Sequence, residues 1–277
     1  MILGIVFILA FLLFVLSSES RKLLLALLPF GVFALVYDSL RYFPNYEFNS
    51  IDVKSLYDLE LSLFGVPDGG GLVIPSAFCQ NHHKTVLDVL AGMFYLCWVP
   101  VPIFYAVYLF CSGRRNWSIR LSMCFLLVNL LGFVGYYVHP ASPPWYVLQH
   151  GFEPIIGTPG CTAGLGYFDQ IIGLPVFASL YGANSNVFAA IPSLHATYTL
   201  VTTYYAYRAG ARKYTIAIFA LITLGIWCTA VYSAHHYIID VILGILTATI
   251  GVFIFEKVIM KTSLFKRFYS KYCNIIG

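Results

Sequence analysis

Six runs of this chain, roughly 23–41, 85–111, 121–139, 187–207, 214–232 and 236–255, are almost uncharged and strongly apolar. Each is about 19 residues or longer, enough for a helix to cross about 30 Å of hydrocarbon at 1.5 Å per residue. A seventh run at 2–16 is marginal in length. No basic residue precedes it and no small-x-small cleavage site follows, so it reads as a retained first span rather than a signal peptide. Composition agrees. The chain is 60% hydrophobic and only 10% charged, where a soluble domain carries about 25% charge. One water-soluble core cannot hide that much apolar surface, and disordered, collagen-like and disulfide-scaffold classes are excluded. No basic domain suggests nucleic acid. The expected fold class is all-α, a polytopic membrane helix bundle.

The charges orient the bundle. The connections 17–22, 112–120, 208–213 and the tail 256–277 hold all of the 16 Lys and Arg except Arg41, Lys54 and Lys84. The positive-inside rule puts this set in the cytoplasm, with the N-terminus outside and the C-terminus inside. Of the 12 acids, only Glu19 and Glu256 share that side.

Two outer loops are long, about 42–84 and 140–186. In the first, Ser50 to Gly65 reads as a short amphipathic helix in the membrane interface. Ser50 or Asp52 caps it, Gly65 and Pro67 stop it, and Leu56, Leu59, Leu63 and Phe64 share one face. The second is rich in Gly and Pro and should be irregular and compact over the outer mouth. Cys79 and Cys161 are the two outer-loop cysteines, the pair available to an oxidising compartment. There is no internal repeat, no CxxC and no metal-ligand spacing, so neither a metal nor another cofactor is expected.

Ionisable groups at a membrane edge are expensive and are functional candidates by default. Two stretches qualify: Pro192-Ser193-Leu194-His195, opening the span at 187–207, and His235-His236-Tyr237-Ile238-Ile239-Asp240, opening the last span. The topology puts both at the outer surface. His236 and Asp240 are i, i+4, stacked neighbours on a helix. A carboxylate there can accept Nδ1–H, fix the tautomer and leave Nε2 with a free lone pair. His195 supplies a second imidazole as proton donor. Pro192 at a first helical turn, with Ser193, suits a helix N-terminus that favours an anion such as phosphate. A structural hydrogen bond between spans is the bland reading of the His–Asp pair; two such stretches on one face favour phosphate chemistry.

Pro192-Ser193-Leu194-His195 resembles the second motif of the type 2 phosphatidic acid phosphatase (PAP2) superfamily, usually Pro-Ser-Gly-His, and His236-x-x-x-Asp240 is similar to the end of its third. The resemblance implies a six-helix core matching the last six spans, with His236 the nucleophile, Asp240 its orienter and His195 the general acid. The chain then divides into a first span and turn at 1–22, a catalytic membrane domain at 23–256 and a basic cytoplasmic tail at 257–277. There are departures. The family's first motif, Lys-x6-Arg-Pro, falls on Gly132 to His139-Pro140, without either cation. Thr229 and Ala230 stand for the usual Ser-Arg, and Leu194 for Gly. Arg41, Lys84 and His139, at the outer ends of three spans, are the candidate substitutes, though Arg41 and Lys84 also read as snorkelling anchors.

The departures have a pattern. Pro140-Ala141-Ser142-Pro143-Pro144-Trp145-Tyr146, Pro-Ser-Leu-His and His235-His236-Tyr237-x-x-Asp240 together resemble the aureobasidin-sensitive inositol phosphorylceramide synthases and their bacterial relatives. Asn81-His82-His83-Lys84 ahead of Trp98-Val99-Pro100-Val101-Pro102 adds to the likeness. This implies a lipid phosphotransferase moving phosphoinositol from phosphatidylinositol to ceramide or dihydroceramide through a phosphohistidine. Pro144, Trp145 and Tyr146 would cover the site, with Ser193 and His235 beside the phosphate. A phosphatase of the same superfamily is the alternative. A transporter is disfavoured, because the mid-span regions lack charge. A bacterial inner membrane with a periplasmic site is the expected location; a Golgi membrane with a lumenal site obeys the same topology.

Overall fold

The computed structural model describes residues 11–12, 17–182 and 186–277, so the apolar run at 2–16 lies almost wholly outside the described residues. Thirteen α-helices and one hairpin appear among them. Four helical stretches are long and apolar enough to cross a membrane. They are Ser18–Tyr42, whose α part is α1 (Ser18–Ser39), then α6 (Arg115–Val138), α11 (Lys213–Tyr232) and Ile238–Lys261, whose α part is α12 (Ile238–Phe253).

The two remaining expected spans depart from a single straight helix. The run at 85–111 is α4 (Thr85–Tyr95) and α5 (Pro100–Cys111), bent by 43°. Pro100 and Pro102 account for the break: neither supplies the N–H that a continuous helix would use. The run at 187–207 is helical only from His195, as α10 (His195–Arg208). Pro192 is therefore not in a first helical turn, as the sequence suggests, but in an irregular, bent approach that includes a cis Ile191–Pro192 peptide. The backbone of 187–194 bonds elsewhere. Ala141 N–H donates to the Phe188 carbonyl at 3.0 Å, and Ser193 N–H donates to the Asp240 carbonyl at 3.0 Å. Non-helical chain at membrane depth is tolerated when protein buries it, and residues 190–194 are all buried.

The bundle packs α6 against α1, α5 and α12, and α10 against α11 and α12. Phe30, Phe125, Tyr198, Val201 and Tyr205 fill its middle. Tyr198 donates to the Asn129 amide oxygen at 2.8 Å, which satisfies two buried polar groups at once. At the basic end, Glu256 is held by Arg120 at 3.3 Å and by the Tyr205 hydroxyl at 2.8 Å. α13 (Ser263–Ile276), in the tail, packs on α1 and α6.

Short elements cap the other end: α2 (Lys54–Phe64), the hairpin β1 (Val66–Asp68) and β2 (Gly71–Val73), α3 (Pro75–Asn81), α7 (Pro144–His150), α8 (Gly166–Ile172) and α9 (Val176–Gly182). The hairpin turns at Gly69 and Gly70, both with positive φ, a conformation glycine adopts without strain. Asp52 caps α2 through Ser55 N–H at 3.0 Å, and Gly65 ends it, as expected. Its apolar residues divide between the core and the surface. Leu56 and Glu60 are buried, while Leu59 and Leu63 are exposed. The thiols of Cys79 and Cys161 are both free.

Candidate active site

α10 has 14 residues. At 1.5 Å each it covers about 21 Å, short of the roughly 30 Å of hydrocarbon. His195 opens it and faces the turn between α11 and α12. There the His195 Nδ1 and His236 Nε2 atoms are 3.1 Å apart, and His236 Nδ1 lies 3.3 Å from Asp240 Oδ2. The three side chains form one line, carboxylate to imidazole to imidazole. Asp240 is fully buried, and its Oδ2 also accepts Tyr237 N–H at 2.9 Å. Tyr95 and Trp98 pack against the His195 ring, with centroids at 4.9 and 4.6 Å.

Three glycines bring the motif strands this close. A Cβ on Gly244 of α12 would collide with the Ser193 carbonyl, and one on Gly135 of α6 with the Pro192 ring. A Cβ on Gly132 would collide with the Leu194 side chain. Leu194 stands where related motifs have glycine, and Gly132 supplies the space it takes. The cradle thus accounts for one of the departures noted above.

The other candidates fall at varied distances from this line. Ser193 is buried and its Oγ has no hydrogen-bond partner. His235 is buried beside Tyr181, with Nδ1 at 3.0 Å from Ser233 Oγ and Nε2 unpartnered. Pro144 opens α7, and Trp145 N–H donates to the Ala234 carbonyl at 2.9 Å. Tyr146 is buried, with its hydroxyl bonded to the Glu153 carbonyl and to Ile155 N–H, a loop-binding role. His139 Nε2 is 3.0 Å from Asp52 Oδ2. Arg41 pairs with Asp38 one helical turn back. Lys84 gives its backbone N–H to the Tyr232 hydroxyl at 3.1 Å, placing it at the outer end of α11.

One residue escaped sequence reasoning. Glu60 of α2 is fully buried, and its two oxygens accept the N–H groups of Ile238 at 2.8 Å and Ile239 at 3.2 Å. It caps the first turn of the helix that carries Asp240, where a negative charge is favoured. Burial raises its pKa, and the two amide bonds oppose that shift. The available signal was an acid four residues after Leu56, on the face that Leu56 shows to be the inward one.

The histidine pair on adjoining helix ends, with a carboxylate behind one ring, has the form of an acid–base site in a membrane helix bundle. Residues 66–254 match the PAP2 superfamily, and the chain belongs to it. The chain is 53% identical to the phosphoinositol dihydroceramide synthase of Bacteroides thetaiotaomicron, over 95% of this chain and 87% of that one. It is 28% identical to the inositol phosphorylceramide synthase catalytic subunit of Saccharomyces cerevisiae, over 92% of this chain and 62% of the yeast protein. It is 29% identical to the inositol phosphorylceramide synthase of Candida albicans, over 90% and 51%. No solved structure matches.

Proposed function

We propose that this protein transfers phosphoinositol from phosphatidylinositol to the primary hydroxyl of ceramide or dihydroceramide and releases diacylglycerol. The observation that carries this reading is the 3.1 Å approach of His195 to His236, with Asp240 behind His236. The printed activities of the relatives favour the same donor and acceptor classes.

In the resting arrangement the two imidazoles share a proton. An incoming phosphodiester separates them. His236 Nε2 attacks phosphorus while the bond to the glycerol oxygen breaks, and His195 gives that oxygen its proton. Asp240 stabilises the cation that forms on His236. The sphingoid primary hydroxyl then attacks phosphorus and passes its proton to His195, and the phosphorus–nitrogen bond breaks. This covalent route divides one hard displacement into two easier ones. The phosphodiester carries a single negative charge. The buried donor groups of Ser193 and His235 can meet it without the lysine and arginine that usual family members place there. Outer elements over the turn limit access of water as a competing acceptor. The basic connections at the opposite end support a site on the non-cytoplasmic side, in a bacterial inner membrane the periplasm.

The test is to incubate purified protein with head-group-labelled phosphatidylinositol, with and without ceramide. Ceramide-dependent label transfer, plus acid-labile labelled protein when ceramide is withheld, is the expected result. Free inositol phosphate as the sole labelled product would make the protein a lipid hydrolase, with water in place of the sphingoid acceptor.

A further inference from the structure

A cavity of about 520 Å³ lies directly over the catalytic turn. Its floor is Ala234, two residues before His236. Its walls come from α3, α7 and α8 and the chain leading to α8. Among the described residues no charged side chain lines it. Amide and hydroxyl groups do: Gln80, Asn81, Gln149, Thr162 and Gln170. Three of the amides each spend one N–H on the protein. Gln80 donates to the Tyr232 carbonyl, Asn81 to Asp68, and Gln149 to the Cys161 sulfur. Their carbonyl oxygens remain as acceptors. Trp145 and Tyr167 add flat walls. Tyr167 is held by stacking on His83 at 3.9 Å and 7° between planes, and His83 is anchored 3.0 Å from Asp88.

The walls are fastened to the turn itself. Three successive carbonyls, of Tyr232, Ser233 and Ala234, accept hydrogen bonds from the Gln80 side chain, Gly164 N–H and Trp145 N–H, at 2.7, 3.0 and 2.9 Å. The two non-glycine residues with positive φ among those described, Ala163 and Ala234, both line the cavity. Strained backbone of this kind persists where the surroundings hold it, and it clusters at ligand sites.

We infer that this cavity is the subsite for the uncharged cyclic polyol of the donor head group, with Gln149 and Gln170 as specificity-determining contacts. The inference rests on the phosphoinositol reading above. A polyol presents many hydroxyl donors and no charge, which suits a wall of neutral acceptors and aromatic faces. A zwitterionic amine head group would find no carboxylate to pair with.

Gln149 and Gln170 are exposed, so Gln149→Leu/Gln170→Leu should leave the fold intact, checked by an unchanged thermal midpoint. Transfer to ceramide is then measured from phosphatidylinositol and from phosphatidylglycerol. Losing two hydrogen bonds should cost about tenfold in kcat/KM for the inositol donor, mostly through KM. The glycerol donor should change little. Free myo-inositol should compete with the donor in the wild type and lose that effect in the variant. Unchanged selectivity in a variant that still transfers phosphoinositol would overturn the subsite alone. An equal loss of kcat with both donors would mean damage to the turn and would also overturn it. Failure of the wild type to use phosphatidylinositol would instead sink the functional reading, and the subsite with it.

Discussion

At the scale of single residues, the site is set by three side chains and the glycines that let them meet. His195→Ala should lower transfer by about 10²–10⁴-fold, the usual range for a positioned acid–base group. His236→Ala should abolish it, and neither change should prevent membrane insertion; both are read by the labelled-lipid assay with a thermal midpoint as control. Near-normal turnover in His236→Ala would end the proposed mechanism. The Gly132–Leu194 contact gives a sharper prediction. Gly132→Ala forces a methyl group into the Leu194 side chain, an overpacking that costs about 1–3 kcal/mol. Gly132→Ala combined with Leu194→Gly should recover stability and part of the activity, a coupling visible in a double-mutant cycle. The His–Asp pair was legible from its i, i+4 spacing, although His236 stands in the bend before α12 and Asp240 in that helix's first turn, so the two meet across the helix start. The 3.1 Å meeting with His195 was not, since it joins residues 41 apart in the chain.

At the scale of elements, amphipathic α2 acts as the cap of another helix. Its sequence pattern correctly marks a short helix stopped at Gly65. The pattern groups Leu56, Leu59 and Leu63 on one apolar face for the membrane interface; Leu59 and Leu63 are exposed, and Leu56 turns inward with Glu60. Hydrophobicity alone did not mark Glu60 as inward, because a carboxylate on bare backbone N–H groups is at home inside a protein. Glu60→Ala would leave the Ile238 and Ile239 amides without acceptors, at about 1–3 kcal/mol for each buried group. The expected results are a lower midpoint of thermal unfolding and reduced turnover, as the first turn of α12 loosens around Asp240. Glu60→Gln keeps one good acceptor and should fall between. Similarly, α10 reads as part of a 21-residue apolar run, yet its first eight residues spend their backbone bonds on the 140–142 segment and on Asp240. Apolar content reports burial in lipid or protein without telling the two apart.

At the scale of the whole molecule, the basic connections occupy one end and the histidines the other. In a variant stripped of its native cysteines, a membrane-impermeant maleimide applied to intact cells should label Gly157→Cys in the outer loop but not Gly113→Cys between α5 and α6. The opposite pattern would put the site in the cytoplasm. The helical class, the gathering of the basic connections at one end and the two chemical stretches follow from sequence, because hydropathy, charge bias and helical spacing are local properties of the chain. Distant contacts belong to the tertiary structure: the line from Asp240 through His236 to His195, the glycine cradle, the Glu60 cap and the walls over Ala234. Each joins segments whose approach is decided by how thirteen helices exclude lipid and water together, and no window of sequence records that.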